Sequence, residues 1–429
     1  MEPGNVTIAL VKHMKNIKNM KTKTKILIFV GILTAIMVVQ FFLPDLGQTH
    51  AIRIEPTGQT VSYNFGDSPS FHSYNTGFFF FLIRDGLTYR APDTTVRWSA
   101  SLSLNHPHMV VRGDIVAVGE LRGGRSVHVF DTDGLLFSID KEDTILFFSV
   151  NEIGVLSVVV QTSTGHTIYA YTQQSARDSE YIFRQRITQN LQTPTAVEIS
   201  ADGRYIAVAI MDVFPRLHTT VQFRYLNQAD AIAFRVDDGL FSAEIFDDQA
   251  VFAMRFMADN NLVVVTNSQI ICHRITPRDH SVCLREEAWR VQPQNLIEEL
   301  VFYGDRHVIY VTGNRRVGVT DASPVGTVYV RNVIDGSYVG YFSLGRRVTH
   351  FSVGHGSFIV GSDRNFHAAD FRGNHLWEHN TLHETRDVLF LGDTDTILIA
   401  GANRAEIHVR RRIRINDFEH IFEPAEAVD

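Results

Sequence analysis

From about residue 70 onward, short apolar runs alternate with turn residues, which is the pattern of β-strands joined by tight turns. The clearest unit reads Val197-Glu-Ile-Ser-Ala-Asp-Gly203-Arg-Tyr-Ile-Ala-Val-Ala209. It contains a strand, a glycine turn and a second strand that is apolar almost throughout. A strand of alternating pattern, such as Val328-Tyr-Val330, follows the second strand. We expect the second strand to be buried on both faces and the third to lie nearer a rim.

This unit recurs along the chain, and its turn residues lie 36 to 57 residues apart, at positions 77, 113, 154, 203, 260, 304, 354 and 392. A repeat of about 40–50 residues with four strands is typical of a β-propeller blade. The sequence therefore predicts an all-β fold, a β-propeller of eight four-stranded blades. Seven blades remain the alternative if the first and last units share one blade. The last unit lacks a fourth strand, and we expect Thr60-Val-Ser-Tyr-Asn64 to supply it and close the ring.

The N-terminal pattern is different, because a lysine-rich segment runs into an uncharged apolar one. Residues 1–25 contain six lysines and one acid, and residues 26–43 read ILIFVGILTAIMVVQFFL. As a helix, this stretch spans about 27 Å, enough for a bilayer core. The flanking lysines predict a transmembrane signal-anchor with a cytoplasmic N-terminus and an extracytoplasmic remainder. A cleaved signal peptide and a buried core helix are the two alternatives.

These patterns divide the chain into five predicted parts. Residues 1–25 form a basic cytoplasmic tail, 26–43 the membrane anchor, 44–57 a linker, 58–412 the propeller and 413–429 a C-terminal tail. The formal net charge of −7 then separates into +5 through the anchor and −12 beyond it. An acidic outer segment argues against nucleic acid as a partner. Hydrophobic residues make up 45% of the chain, which is compatible with a packed core.

Two repeat tails carry a resemblance to known propellers. Asp370-Phe-Arg-Gly373-Asn-His-Leu-Trp377 resembles the Asp-x-x-Gly-x-x-x-Trp turn of quinoprotein-type (PQQ-like) repeats, and Ser200-Ala-Asp-Gly203 is similar to a turn common in WD40-like propellers. With the anchor, the chain resembles an uncharacterised family of membrane-anchored clostridial (Firmicutes) proteins with a PQQ-like propeller domain of unknown function. The resemblance implies that Trp98, Trp289 and Trp377 pack between blades rather than stack on a cofactor.

The sequence contains strings that resemble metal and catalytic motifs, but each has a simpler explanation. His375-Leu-Trp-Glu378-His379 matches a zinc-peptidase string, but that chemistry requires a helix. Four residues along a strand separate side chains by roughly 13 Å, too far for one zinc ion. Acidic turns such as Asp131-Thr-Asp133-Gly134 fit ordinary hairpin chemistry. We therefore predict no metal site, no cofactor and no catalytic residue.

Cys272 and Cys283 are the two cysteines of the chain, and they fall on apparently consecutive strands. Outside the membrane they could pair or remain free thiols. A disulfide requires Cα atoms within about 7 Å, which the sequence does not fix.

Propeller loops usually carry recognition, so the sequence favours a non-enzymatic binding or scaffold module for a protein or cell-envelope ligand. The candidate recognition residues lie near the start of each first strand: His106, Pro194, Arg346, Arg347 and Glu384. The alternative is an enzyme, either a quinoprotein-like oxidoreductase or a glycan-active propeller. Convergent carboxylates in a central channel would favour that alternative.

Overall fold

A computed structural model describes residues 50–414 except 65–68, 75–76, 84, 106, 189–190, 228–238, 279–280, 314–325 and 393. Contacts separate a compact unit, Arg53–Arg411, from a second unit made of the two chain ends. The predicted anchor, residues 26–43, lies outside the described residues. Within the described ranges, no helix is long and apolar enough to cross a membrane.

The described strands form eight antiparallel sheets of four strands each, which confirms eight blades and excludes seven. Blade 1 contains β2 (Ser70–Tyr74), β3 (Gly77–Leu82), β4 (Gly86–Arg90) and β5 (Val96–Ala100), and blade 2 contains β6 (Pro107–Arg112), β7 (Ile115–Glu120), β8 (Ser126–Asp131) and β9 (Gly134–Asp140). Blade 3 contains β10 (Thr144–Val150), β11 (Leu156–Thr162), β12 (Gly165–Tyr171) and β13 (Phe183–Ile187), and blade 4 contains β14 (Gln192–Ile199), β15 (Tyr205–Asp212), β16 (His218–Tyr225) and β17 (Leu240–Asp247).

The second half of the ring repeats this order. Blade 5 contains β18 (Val251–Met257), β19 (Asn261–Thr266), β20 (Ile270–Arg278) and β21 (Ser281–Val291), and blade 6 contains β22 (Leu296–Tyr303), β23 (His307–Gly313), β24 (Thr327–Asn332) and β25 (Tyr338–Ser343). Blade 7 contains β26 (His350–Gly354), β27 (Ser357–Ser362), β28 (Asn365–Asp370) and β29 (His375–Asn380), and blade 8 contains β30 (Asp387–Phe390), β31 (Thr396–Ala400), β32 (Arg404–Arg414) and β1 (His50–Ser62). A short helix, α1 (Gln173–Arg177), and a 3₁₀ turn (Ala258–Asn260) interrupt the strands.

The second strand of each blade is apolar because neighbouring blades cover both of its faces. In β15, Ile206 and Val208 pack into a cluster shared with blade 3. The alternate residues Ala207 and Ala209 pack into a cluster shared with blade 5. All four are fully buried. Burial on both faces removes the polar alternation that a one-sided sheet would show.

Most first strands contact the first strand of the next blade, so the first strands line the central axis. Each first strand begins on the face that carries the connections between blades. The turns between second and third strands lie on that same face, which we call the entry face. The opposite face, the exit face, carries the turns between first and second strands and between third and fourth strands.

Most predicted turn residues adopt the left-handed backbone that a tight hairpin requires. Positive φ is found at Gly113, Gly154, Gly203, Asn260, Gly304 and Gly392. In the seventh unit the positive φ values belong to His355 and Gly356, and Gly354 ends the strand. Gly77 is required for another reason: a Cβ there would lie 2.1 Å from the Arg90 carbonyl oxygen.

β1 closes the ring as the fourth strand of blade 8, as predicted. It runs antiparallel to β32, because later residues of β1 contact earlier residues of β32. The Glu55 carboxylate lies 3.5 Å from Arg411 Nε, and Thr57 Oγ1 donates to the Ile407 carbonyl at 2.8 Å. β1 begins at His50, so residues 50–57, predicted as a linker, are strand.

Two of the three tryptophans dock on the next blade. Trp98 of blade 1 donates from Nε1 to the Thr132 carbonyl at 3.1 Å and stacks on Phe130 of blade 2. Trp289 of blade 5 donates to the Val333 carbonyl of blade 6 at 2.6 Å. Trp377 of blade 7 is buried, but its Nε1 has no hydrogen-bond partner among the described residues. Packing between blades is therefore confirmed for Trp98 and Trp289.

Cys272 is a buried free thiol, so the disulfide that the sequence left open is not formed. Both cysteines lie in the β20–β21 hairpin, where Cys272 pairs with Trp289 and Thr276 pairs with Leu284. This register sets Cys283, the neighbour of Leu284, several residues along the hairpin from Cys272. At about 3.3 Å per residue, that offset exceeds the Cα separation that a disulfide tolerates.

Candidate functional site

A polar network lines the central axis toward the exit face. Arg112, the last residue of β6 in blade 2, places Nη2 3.1 Å from Glu198 Oε1 of blade 4. Ser149 of blade 3 donates to the same carboxylate oxygen at 3.0 Å. The ion pair reaches past blade 3, and a contact of this kind is available only along the wall of the axis. Three blades are thereby joined through one carboxylate.

Arg255 of blade 5 extends this network. Its Nη1 donates to the Phe302 carbonyl of blade 6 at 2.9 Å. Burial, together with the positive charge of Arg112, lowers the pKa of Arg255 to about 10, and the negative charges of Glu198, Glu152 and Asp305 oppose the change. The Glu198 carboxylate is therefore paired with Arg112 and acted on by Arg255, an arrangement that fixes blades rather than one that presents a free acid.

The axis also carries titratable groups whose pKa values shift toward the uncharged form. Burial lowers the pKa of His72 to about 4, and nearby His108 adds to the effect. Burial raises the pKa of Asp387 to about 6, against a hydrogen bond from the Val388 amide. Burial also raises the pKa of Glu299. These groups belong to blades 1, 2, 8 and 6.

The predicted recognition residues fall into three classes. Arg346 and Arg347 are exposed in the loop between β25 and β26, and Glu384 is exposed in the loop between β29 and β30. All three lie on the entry face. Pro194 is instead buried within β14, opposite Ile210 at a register irregularity, where a missing N–H is tolerated. His106 lies outside the described residues.

The sequence did not reveal an apolar arc on the entry face, formed by Leu191, Phe214, Phe252 and Leu296. Their side chains are 51%, 68%, 47% and 43% exposed. Leu191 precedes β14, Phe214 lies in the turn between β15 and β16, and Phe252 and Leu296 stand at the starts of β18 and β22. Blades 4, 5 and 6 are consecutive, so the arc occupies one sector of the entry face. Apolar residues at strand ends give no sequence signal that separates exposed from buried ones.

The histidines of blade 7 do not converge. His375 and His379 lie on the same strand, β29. His375 Nε2 lies 3.4 Å from His367 Nδ1, and its ring packs against Phe342 of blade 6. The His379 ring packs against His408 of blade 8. The two therefore serve different blade interfaces, as the strand spacing predicted, and no group of three potential metal ligands occurs among the described residues.

Known proteins resemble this chain at the level of fold. BamB from Moraxella catarrhalis aligns with 12% identity and a TM-score of 0.45, covering 83% of this chain and 98% of that one. The β-propeller domain of Myceliophteria thermophila Cps50 (Swd1) aligns with 10% identity and a TM-score of 0.46, covering 84% and 99%. The C-terminal WD40 domain of Sif2 aligns with 8% identity and a TM-score of 0.47, covering 84% and 98%.

No curated protein matches the chain in sequence. A family model does, and it spans nearly the whole propeller, residues 57–408. Its first matched residue, Thr57, lies in the closing strand β1, and its last, His408, lies in β32. The matched segment thus covers all eight blades. The chain belongs to the family of unknown function DUF5711.

Proposed function

We propose that this protein is a non-enzymatic binding module: a membrane-anchored, extracytoplasmic β-propeller that holds a protein or cell-envelope ligand on its entry face. The apolar arc carries the proposal. Four large apolar side chains exposed on a loop-bearing face are typical of a surface that a partner covers. Phe214, at 68% exposure, is the most prominent of them.

The charge around the arc supports a ligand that combines apolar and ionic contacts. Arg346, Arg347 and Glu384 are exposed on the same face. Interfaces commonly combine an apolar centre with a charged rim, and the rim sets orientation and partner choice. A rigid ring holds these groups at fixed separations, which lowers the entropy lost on binding.

The lysine-flanked apolar segment at residues 26–43 supports the proposed anchor and the extracytoplasmic location. Protease added to intact cells should digest the propeller, and digestion only after lysis would contradict the extracytoplasmic location.

The enzyme alternative would need free carboxylates that converge on a substrate. Glu198 instead accepts hydrogen bonds from Arg112 and Ser149. Its charge is committed to the blade contacts. The Trp98 and Trp289 docks support a quinoprotein-type repeat as an element of structure, without a role in cofactor chemistry.

The binding proposal can be tested with two matched double variants of the full chain in native membranes. Phe214→Ser with Phe252→Ser removes the centre of the arc. Leu135→Ser with Ile153→Ser removes side chains that are 58% and 63% exposed on the exit face. We expect the arc variant alone to lose a discrete cross-linked species in envelope preparations, by about fivefold or more, the effect of about 1 kcal/mol. An equal loss in both variants, or no loss in either, would contradict the proposal.

A further inference from the structure

Lys141 is the one lysine after residue 25, since the other basic residues of the propeller are arginine or histidine. It follows β9 of blade 2 and is partly buried. Its Nζ lies 4.2 Å from the ring centroid of Tyr169 and 4.7 Å from that of Tyr171, and it donates to the Tyr171 hydroxyl. Both tyrosines belong to β12 of blade 3, so this lysine spans the junction of two blades.

A second cation lies at the same ring. The Arg184 guanidinium of β13 is 5.8 Å from the ring centroid of Tyr169 and 5.7 Å from that of Tyr181. Tyr181 lies between α1 and β13, and its ring packs edge-to-face against Tyr169 at 5.5 Å. Lys141, Arg184 and the three tyrosines together form what we call the blade 2–3 site.

Neither cation of this site forms an ion pair within the described part of the chain. The carboxylates adjacent to Lys141 in sequence, Asp140 and Glu142, are exposed and do not pair with it. Burial, together with the positive charge of Arg184, lowers the pKa of the Lys141 ammonium, and no carboxylate opposes the change. An anion beside both cations would relieve their repulsion and accept charge-assisted hydrogen bonds from each.

The tyrosines decide what kind of anion fits. The face of an aromatic ring carries the negative side of its quadrupole, so it attracts the two cations and repels a bare anion. A ligand must therefore direct its charged group at Lys141 and Arg184 and set an uncharged body against Tyr181, which is 47% exposed. A sugar ring supplies such a body, and its hydroxyls can also form hydrogen bonds with tyrosine hydroxyls, which a hydrocarbon ring cannot do.

We propose that the blade 2–3 site binds an acidic saccharide, with the carboxylate at Lys141 and Arg184 and the sugar ring against Tyr181. Lysine suits the inner position because its ammonium is a compact point charge that fits beside two ring faces. The guanidinium of Arg184 can bind a carboxylate through two parallel hydrogen bonds. This site lies between blades 2 and 3, whereas the apolar arc lies on blades 4 to 6, so the proposal does not depend on the entry-face proposal.

Amine acylation of the full chain, followed by peptide mass spectrometry, would test the proposal, because it reports on Lys141 separately from the lysines of residues 1–25. The probes are methyl glucuronide, methyl glucoside, which lacks the carboxylate, and inorganic phosphate, which lacks the ring. At about pH 8 we expect saturating methyl glucuronide to slow acylation of Lys141 about tenfold, because a bound carboxylate raises the pKa of the ammonium. The other two probes should change the rate by less than about twofold. The N-terminal lysines correct for loss of reagent.

Two pairs of variants assign the effect to the site. Arg184→Gln should remove most of the protection, whereas Arg97→Gln, at an exposed arginine on the outermost strand of blade 1, should keep it. Tyr181→Ala should raise the concentration of methyl glucuronide needed for half-protection about fivefold, the loss of one aromatic contact. Tyr338→Ala, at a 48% exposed tyrosine on blade 6 that also lies beneath a guanidinium, should leave that concentration unchanged.

The variant with Phe214→Ser and Phe252→Ser should retain the protection of Lys141, so a failure of the entry-face proposal and a failure of this one are distinguishable. Equal protection by inorganic phosphate would show a plain anion site, and equal protection by methyl glucoside would show that the carboxylate has no role. Either result would overturn the proposal, as would unchanged acylation with methyl glucuronide or full protection in Arg184→Gln.

Discussion

A single carboxylate, Glu198, connects three blades at the axis. It pairs with Arg112 and Ser149, and the side chains of the ion pair are 18% and 11% exposed for Arg112 and Glu198. Removing one partner of a largely buried pair leaves an uncompensated charge, and this costs more than removing both. Because Arg255 lies nearby, two positive charges would remain at the axis without Glu198.

Glu198→Ala is therefore expected to lower the free energy of unfolding by about 3 kcal/mol. The double variant Arg112→Met with Glu198→Leu should lose less unfolding free energy than the single variant, because neither charge of the pair remains. Urea unfolding of the purified propeller measures both. If Glu198→Ala lowers the free energy of unfolding by less than about 1 kcal/mol, the ion pair is solvated and contributes little to stability.

Among the elements, the tryptophan docks depend on the turn between the third and fourth strands of the following blade. The Trp98 acceptor, Thr132, lies between β8 and β9, and the Trp289 acceptor, Val333, lies between β24 and β25. By the same geometry, the blade that follows Trp377 is blade 8, whose third and fourth strands, β32 and β1, come from opposite ends of the chain. No turn joins them, which explains the unpartnered Nε1 of Trp377.

Replacing a tryptophan with benzothienylalanine removes the N–H and keeps the ring size. At position 98 we expect a loss of about 1 kcal/mol, the contribution of a net hydrogen bond. At position 377 the change should be neutral or stabilising, because it removes a buried donor without a described acceptor. Thermal unfolding of the two substituted chains measures both changes in stability. Equal losses of stability at positions 98 and 377 would contradict this expectation.

For the whole molecule, stability depends on closing the ring with β1. The strand joins the start of the propeller to its end, through Thr57 to Ile407 and through the Tyr63 amide to the Asn403 carbonyl at 3.0 Å. Without β1, the edge of β32 would be unpaired and one side of blade 8 would be uncovered. An open edge of this kind also favours aggregation.

A chain that begins at His50 should retain one cooperative unfolding transition, because it keeps β1. A chain that begins at residue 65 should unfold at a lower denaturant concentration and aggregate on concentration. A circular permutant that joins the β1 sequence behind β32 serves as the control and should recover the transition. Unfolding of the shortened chain at the wild-type midpoint would show that the closing strand is dispensable.

The sequence determined the repeat and the closing strand, and it favoured eight blades over seven. These features are encoded locally: apolar second strands follow from burial on both faces, and glycine or asparagine marks the hairpin turns. The spare strand at Thr60–Asn64 was identifiable because an incomplete last unit and an unassigned first strand complement each other. The sequence likewise predicted that His375 and His379 lie on one strand.

The tertiary structure alone decided which side chains meet and which stay exposed. Arg112 and Glu198 are 86 residues apart and meet only because the ring brings blades 2 and 4 to one axis. The hairpin register, with its bulges, separates Cys272 from Cys283, and a register irregularity accommodates Pro194 inside β14. The apolar arc depends on where the strand ends lie in the ring. Contacts of this kind arise from the packing of distant segments, and a local pattern of hydrophobic and polar residues does not specify them.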